Sequence, residues 1–259
     1  MSIHTDLYYW NSFRKLKNKF IQNIKTDPVI KTTEDSKNIY DGYDDREQRS
    51  FEYGSNRCLL HNHLITMTKR EIRYMYLRHI YSVIDEMIKK DEISTVLEVG
   101  CGNCINLMML KEHYGDSLKL FGMDISQKRL DVAKNYFGEK LAGIELFQQS
   151  IVENTGIASS YYDLVFTMHC LEQIPYKIER ALSEIYRITN NNLVLIEPVF
   201  EFCNPAQKMY LYYSDHNRIL LKTIEKLDLP VIYKRSLEIQ SNPLNQSSII
   251  VIERRSLNV

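Results

Sequence analysis

The stretch VLEVGCGNC, residues 96–104, decides how the rest of the chain is interpreted. An apolar run ends there in a turn that contains both E-x-G-x-G and C-x-x-C. The first pattern is typical of a turn that holds a nucleotide, because glycine lets the backbone come close to a ligand. The second has the spacing of a redox dithiol or of half a zinc site.

The other cysteines and histidines favour the nucleotide interpretation. Cys58, Cys170 and Cys203 are scattered singly, and His61 and His63 are not paired with any of them. A zinc site would need a second pair of ligands at suitable spacing. The aromatic residue expected before the first cysteine of a thioredoxin-like motif is also absent, because a glycine stands there. We therefore predict neither dithiol chemistry nor a metal site.

Strands alternate with helices beyond this turn. An amphipathic helix over Thr68–Lys90 leads into it, and further helical patterns cover Ser126–Phe137 and Tyr176–Ile188. The predicted strands are Thr95–Val99, Lys119–Met123, Ile144–Gln148, Leu164–Thr167, Leu193–Glu197, Val231–Leu237 and Ile249–Glu253. Strands and helices of this length in alternation predict parallel βαβ units in a doubly wound sheet.

The last two predicted strands are separated only by the polar segment SNPLNQSS, which is too short for a helical crossover. They should therefore be antiparallel neighbours. The predicted fold is α/β: a doubly wound, mostly parallel seven-stranded sheet with an antiparallel last strand, plus an N-terminal helical cap. We assign residues 1–90 to the N-terminal helical segment or lid and residues 91–259 to the Rossmann-like domain.

Bulk composition limits the partners. The chain has 259 residues with 33 basic and 33 acidic side chains, so no overall positive field is available to bind nucleic acid. No apolar run approaches the roughly 18 residues that a membrane span needs. Five cysteines, without an apolar export signal, predict reduced thiols and a cytoplasmic protein. A homo-oligomer is compatible with all of this.

A carboxylate at the end of the next predicted strand supports a nucleotide site. Asp124 stands where a side chain can accept hydrogen bonds from both hydroxyls of a ribose. The third glycine of a nicotinamide-type fingerprint is missing, because Ile105 occupies that position. The turn is therefore of a different kind.

Four segments together resemble the class I S-adenosylmethionine-dependent methyltransferases over roughly residues 92–253. These segments are VLEVGCGNC, FGMDIS, YYDLVFTMHCLEQIP and ALSEIYRITNNNLVLIEP. The chain departs from the family pattern where Cys104 replaces a glycine, Ser150 an acid and Gln173 a histidine. The Asn-Pro-Pro-Tyr or Asp-Pro-Pro-Tyr motif is absent after the fourth strand, which disfavours methylation of DNA bases.

The resemblance implies that S-adenosylmethionine is the cofactor and S-adenosylhomocysteine the product. Glu98 and the Gly100 backbone would then organise the amino-acid tail, Asp124 the ribose, and Ile125 and Ile151 the adenine. The alternative for the two isoleucines is a place in the core. The full predicted cofactor set is Glu98, Gly100, Cys101, Gly102, Asp124, Ile125, Ser150, Ile151 and Thr167.

His169 is the candidate catalytic residue. It follows the fourth strand, beside the crevice where the methyl group should point, and a histidine can take a proton near neutral pH. The alternative is a histidine that only lines the loop. The candidate acceptor-binding residues are Arg57, His61 and His63 in a lid, Glu197 after the fifth strand, and Tyr210 and Tyr213 at the start of the following helix.

The predicted function is methyl transfer to a small-molecule acceptor, as O-methylation of a sugar, a nucleotide-linked sugar or a related bacterial metabolite. Two alternatives remain open. One is an RNA or protein methyltransferase, and the other is a non-catalytic binding protein with the same fold.

Overall fold

The computed structural model describes residues 46–254, and a seven-stranded sheet forms its centre. The first two strands, which precede this sheet, are β1 (Ser55–Leu60) and β2 (His63–Thr68). The others are β3 (Thr95–Val99), β4 (Lys119–Asp124), β5 (Glu145–Gln148), β6 (Tyr162–Met168), β7 (Thr189–Pro198), β8 (Val231–Ser236), β9 (Ile239–Gln240) and β10 (Ser247–Glu253).

Helices flank the sheet and connect its parallel strands. They are α1 (Arg46–Tyr53), α2 (Lys69–Lys89), α3 (Ile105–Tyr114), α4 (Gln127–Phe137), α5 (Ile178–Ile188), α6 (Pro205–Tyr213) and α7 (Leu220–Lys226). The amphipathic helix predicted from Thr68 is α2, which begins with a reciprocal capping box between Thr68 and Glu71. Such a box satisfies backbone amides that a helix start leaves unpaired.

The predicted doubly wound sheet is confirmed. Strands β5, β4, β3, β6 and β7 are parallel, and β10 runs antiparallel between β7 and β8. The antiparallel pairing of the last two predicted strands is confirmed by the ladder that joins Ile250 to Lys234. Parallel pairing brings the carboxyl ends of β3, β4 and β6 to one edge, where α/β sheets bind ligands.

A hairpin that was not predicted from the sequence precedes α2. Strands β1 and β2 pair antiparallel, and β9 adds to β1 to form a separate three-stranded sheet. His61 and Asn62 form the turn with φ values of 48° and 65°, as a two-residue hairpin turn requires. The N-terminal cap is therefore partly β structure within the described residues. Its predicted part over residues 1–45 lies outside them.

Apolar side chains pack against both faces of the large sheet. Along β3, Val96 joins the core beneath α2 and α3, and Leu97 joins the core beneath α5. This alternation directs Glu98 toward the same face as Val96. Within residues 46–254, none of the helices combines the length and apolar character that crossing a lipid bilayer requires.

Candidate active site

The turn after β3 is built around two glycines. The amides of Gly100 and Cys101 donate to the carbonyl of Met123 at 2.7 and 3.0 Å, which holds the turn against β4. Gly100 and Gly102 have φ values of 75° and 49°, a region that glycine adopts without strain. A Cβ atom on Gly100 would lie 2.4 Å from the sulfur of Cys170. The close approach of the turn to the loop after β6 therefore requires a glycine.

Asp124 ends β4 and joins two backbone segments. Its Oδ2 accepts from the amide of Gly102 at 2.8 Å, and its Oδ1 accepts from the amide of Ser126 at 2.9 Å. The Nη1 atom of Arg129 lies 3.9 Å from Oδ2. Each carboxylate oxygen has a further lone pair, which the predicted contact with ribose hydroxyls would use.

Glu98 and Asn106 form a buried pair between β3 and α3. The Nδ2 group of Asn106 donates to Oε1 of Glu98 at 2.5 Å. Within residues 46–254, the other oxygens of the pair, Oε2 of Glu98 and Oδ1 of Asn106, have no hydrogen-bond partner. Burial raises the pKa of Glu98 to about 8, against the opposing effect of the Asn106 hydrogen bond. Buried acceptors without donors are costly, and a ligand with N–H groups would satisfy them.

The residues of this turn fit the cofactor that the sequence resemblance implies. S-adenosylmethionine carries an ammonium group in its amino-acid tail, which could donate to the unpaired oxygens of Glu98 and Asn106. The Cβ positions of Gly100 and Gly102 are filled by the side chains of Cys170 and Arg129, so these glycines let the turn pack tightly against its neighbours. Asp124 offers carboxylate oxygens at the neighbouring strand end.

The two cysteines of the turn lie inside the protein. The sulfur atoms of Cys101 and Cys104 are 4.0 Å apart, and both side chains are buried. Burial raises the pKa of Cys101, and a thiol in that state is a poor nucleophile or metal ligand. Cys104 has a φ of 58°, which explains why glycine is usual at this position of the motif. Within residues 46–254, no group of three or more His, Cys, Asp or Glu side chains is arranged to hold a metal ion.

Three predicted adenine-side residues follow β4 and β5. Ile151 is buried in the core on the α5 face, whereas Ile125 is partly buried and its carbonyl accepts from Gln148 at 3.0 Å. The carbonyl of Ser150 accepts from the amide of Glu153 at 3.3 Å in a turn. Contact with adenine stays a prediction for all three.

His169 follows β6 with both ring nitrogens in hydrogen bonds. Its Nδ1 lies 3.2 Å from Oε2 of Glu172, and its Nε2 lies 2.9 Å from Oγ of Ser247. Burial disfavours the charged imidazole, but the Glu172 carboxylate outweighs it, so the pKa of His169 is raised. The φ of His169 is 56°, an uncommon backbone conformation for a residue other than glycine. Strained backbone of this kind is frequent at functional sites.

Further polar side chains surround Glu172. Asn245 donates to Oε2 at 3.0 Å, Gln173 donates to Oε1 at 3.1 Å, and Nδ1 of His216 lies 3.8 Å from Oε2. Burial opposes the charge of Glu172, but the two histidines and the Asn245 hydrogen bond hold its pKa at about 2. We call these four residues, Glu172, Asn245, Gln173 and His216, together with His169, the Glu172 cluster. Within residues 46–254, Oδ1 of Asn245 is buried without a hydrogen-bond partner.

The carboxylate of Glu197 accepts hydrogen bonds from the loop that follows β6 and carries Glu172. The Glu197 carboxylate is buried and accepts from the hydroxyl of Thr167 at 2.8 Å and from the amides of Cys170, Leu171 and Glu172 at 2.9, 3.0 and 3.2 Å. Burial, together with the Glu172 charge, raises the pKa of Glu197 to about 7. These contacts position the loop. The predicted contacts of Glu197 with an acceptor and of Thr167 with the cofactor stay predictions.

The predicted lid residues lie in the β1–β2 hairpin and are all exposed: Arg57, His61 and His63. The amide of His61 donates to the carbonyl of Glu238 at 3.0 Å, which sets the hairpin turn beside Glu238. The Glu238 side chain faces His79 on α2, at 3.6 Å.

Arg73 also lies on α2, roughly 9 Å from His79 along the helix axis, and it contacts Met168 at the end of β6.

The tyrosines predicted to open a helix instead end it. Helix α6 begins at Pro205 behind a capping box formed by Asn204 and Gln207, so Tyr210 and Tyr213 belong to its last turns. The ring of Tyr210 packs edge-on against His216, with centroids 5.6 Å apart, and therefore reaches the Glu172 cluster. Tyr213 is 37% exposed.

Several residues of the site were not predicted from the sequence. Glu172 lies within the segment YYDLVFTMHCLEQIP, and its position beside a polar loop could have marked it as a candidate site residue. The others come from segments distant along the chain, and nothing in their local pattern marks them: Arg73, Asn106, His216, Asn245 and Ser247.

Comparison with known proteins agrees with this geometry. Residues 96–192 match a family model described as a methyltransferase domain. The comparison with curated proteins yields no match.

Solved structures share the fold at low sequence identity. The (4+2)-cyclase SpnF is 14% identical with a TM-score of 0.64, covering 88% of this chain and 97% of its own. The magnesium protoporphyrin IX methyltransferase of Synechocystis PCC 6803, with bound S-adenosylmethionine, is 15% identical with a TM-score of 0.59, covering 89% and 100%. The methyltransferase domain of a bacterial Hen1 protein is 18% identical with a TM-score of 0.51, covering 71% and 100%. At these identities the similarity to solved structures establishes the fold alone. Residues 96–192 therefore match a methyltransferase domain, and the chain shares the fold of an S-adenosylmethionine-dependent methyltransferase of known structure.

Proposed function

We propose that this protein transfers a methyl group from S-adenosylmethionine to a hydroxyl group of a small polar molecule, of the sugar or nucleotide-linked sugar class. The observation that carries the proposal is the Glu172 cluster, which groups polar side chains around His169. The fold alone does not decide the reaction, since a fold of this kind hosts several chemistries. The cyclase among the similar structures illustrates this point.

The polarity of the cluster supports a hydrogen-bonding acceptor. Oδ1 of Asn245 lacks a donor among residues 46–254, and a hydroxyl group would supply one. His169 and Glu172 together provide a basic nitrogen whose orientation is fixed by a carboxylate. An apolar acceptor would leave Oδ1 of Asn245 without a donor, at a cost in binding.

The burial of the cluster supports a small acceptor. The side chain of His169 is 27% exposed, and that of Glu172 is 8% exposed. The segment between β9 and β10 covers one side of this region, where the hydroxyl of Tyr76 lies 3.2 Å from Oγ of Ser241. A reacting group must therefore enter a confined space. The equal numbers of acidic and basic residues give no electrostatic support for a nucleic-acid substrate.

The chain's own residues would orient the acceptor and accept its proton. S-adenosylmethionine supplies the electrophilic methyl group when it is bound. Glu172 is a carboxylate and accepts from Nδ1 of His169, which leaves Nε2 as the basic nitrogen. Nε2 is paired with Ser247 at 2.9 Å, so the acceptor hydroxyl would replace Ser247 as the hydrogen-bond donor to it. Nε2 of His169 would then take the proton of that hydroxyl, while breaking of the methyl–sulfur bond would leave S-adenosylhomocysteine.

A methyl-transfer screen tests this function. Purified protein is incubated with radiolabelled S-adenosylmethionine and panels of nucleotide sugars, free sugars, amines, carboxylic acids, transfer RNA and proteins. We expect label in an ether of a hydroxylated small molecule, with equimolar S-adenosylhomocysteine. Label in RNA or protein, or in an amine or ester, would contradict the proposal. Cofactor binding without transfer to any panel member would favour a non-catalytic protein.

A further inference from the structure

Arg73 is a cation of α2 without a described carboxylate partner. Its Nη1 donates to the sulfur of Met168 at 3.4 Å, and within residues 46–254 this is its one hydrogen bond. A thioether is a weak acceptor, whereas a partly buried guanidinium normally pairs with carboxylates or carbonyl oxygens. Two other arginines of α2 have such partners, since Arg70 pairs with Glu112 and Arg78 pairs with Glu238.

Arg73 lies at the edge of the sheet where the carboxyl ends of β3 and β6 meet. Met168 ends β6, and the pairing of Thr167 with Val99 sets Met168 beside Gly100 at the end of β3. The positive charge of Arg73 acts on both sides of this edge, because it opposes the net rise in the pKa of Glu98 and in that of His169. The guanidinium group therefore lies near the turn after β3 and near the loop after β6.

Arg73 complements the unpaired acceptors of the neighbouring buried pair. Among residues 46–254, Oε2 of Glu98 and Oδ1 of Asn106 have no hydrogen-bond donor, and the guanidinium of Arg73 has no anionic partner. An α-amino acid group has both, an ammonium and a carboxylate joined through one carbon atom. Such a zwitterion would satisfy all three side chains at once.

We propose that Arg73 binds the carboxylate of the cofactor's amino-acid tail, so that helix α2, outside the matched methyltransferase domain, completes the cofactor site. This inference rests on S-adenosylmethionine as the cofactor and not on the identity of the acceptor. It also gives α2 a function beyond packing, because binding of the tail would tie this helix to the ends of β3 and β6.

Two ligands that differ only in the carboxylate test the proposal. S-adenosylhomocysteine has the full tail, and S-adenosyl-3-thiopropylamine keeps the ammonium but lacks the carboxylate. By titration calorimetry, Arg73→Ala should weaken S-adenosylhomocysteine by about tenfold or more and leave the decarboxylated ligand within about twofold. Arg73→Lys should recover part of the loss. Arg70→Ala, on the same helix but paired with Glu112, is the matched control and should change neither affinity.

Hydrogen exchange gives a readout that is independent of affinity. S-adenosylhomocysteine should slow amide exchange in α2 around Arg73 in the wild type, and the decarboxylated ligand should do so much less. Equal losses of affinity for both ligands in Arg73→Ala would overturn the proposal and assign Arg73 to the support of Glu98. Unchanged affinity for both would also overturn it. A higher acceptor KM in that case would point to an anion of the acceptor. Because no acceptor is needed in these titrations, a failed acceptor screen leaves their result interpretable.

Discussion

His169 and Glu172 face each other across the turn that follows β6, with Nδ1 of the histidine 3.2 Å from Oε2 of the glutamate. The carboxylate keeps its charge, because the neighbouring histidines hold the pKa of Glu172 at about 2 against the effect of burial. This pairing fixes the ring of His169 and directs its other nitrogen toward Ser247. A base oriented by a carboxylate is a recurrent arrangement in catalysis.

The first prediction is that His169 removes the proton of the acceptor. His169→Asn should lower kcat by about 10²-fold or more while the Kd of S-adenosylhomocysteine stays unchanged. Because the pKa of His169 is raised and only the neutral ring accepts a proton, the rate should rise with pH, with a midpoint above about 6.5. Glu172→Gln removes the main cause of the raised pKa, so it should move this midpoint to lower pH.

Ser247→Ala serves as the control for His169. It removes the hydrogen bond to Nε2 without touching the ring, so the rising pH limb should remain. If His169→Asn keeps most of the rate of the wild type, the histidine only positions the acceptor. If Ser247→Ala loses the rise of the rate with pH, direct transfer of the proton from the acceptor to Nε2 of His169 would be contradicted.

The second prediction is that cofactor binding releases a proton from Glu98. Burial raises the pKa of Glu98 to about 8, so this side chain is largely protonated at neutral pH in the free protein. An ammonium group beside Oε2 would stabilise the carboxylate and lower that pKa. Calorimetric titrations of S-adenosylhomocysteine in buffers of different ionisation enthalpy should therefore show net proton release near pH 7.

The same shift has a consequence for the stability of the free protein. The raised pKa of Glu98 does not lower the free energy of unfolding below pH 4.5, the ordinary pKa of this side chain, because both the folded and the unfolded state are then protonated. The cost grows as the pH rises through 4.5 to about 8, where only the unfolded state ionises readily. Glu98→Gln should remove this pH-dependent loss and abolish the proton release. Release that persists in Glu98→Gln would assign the proton to another group.

The third prediction concerns Asp124. Asp124→Ala should weaken S-adenosylhomocysteine by about tenfold or more, since it removes the acceptors for the ribose and the bonds that hold Gly102 and Ser126. Asp124→Asn keeps one acceptor oxygen and should lose less. Asp116→Ala, at an exposed carboxylate paired with Lys111, is the matched control. Unaltered affinity in Asp124→Ala would refute the assignment.

The sheet was predictable from the sequence because its signals are local. The central strands of the large sheet contain short apolar runs that end in turns, and the predicted Thr95–Val99 coincides with β3. The capping residue Thr68 likewise marks the start of α2. The hairpin before α2 was missed because its strands are half exposed and its first turn residue, His61, is not one that marks such turns.

The site was only partly predictable, because contacts between distant segments build it. Gly100 and Asp124 belong to motifs at strand ends, and the sheet topology brings such ends together. Ser247 meets His169 only through the antiparallel return of β10, and Arg73 meets Met168 only through the packing of α2. Such pairings leave no local pattern to recognise.

The fourth prediction returns to the two cysteines of the opening motif. Cys101→Ala should leave the affinity for S-adenosylhomocysteine within about twofold, because the raised pKa and burial of the thiol suit packing rather than metal or redox chemistry. It should lower the melting temperature, since the sulfur packs against Gly122 and its loss leaves a void. The matched variant Cys203→Ala changes a buried thiol away from the turn. Stoichiometric zinc in the purified wild type, or activity that appears only after oxidation and disappears in Cys101→Ala, would show that the C-x-x-C carries chemistry of its own. Otherwise the cysteines fill the space behind a turn whose function lies in its glycines and in the carboxylates of Glu98 and Asp124.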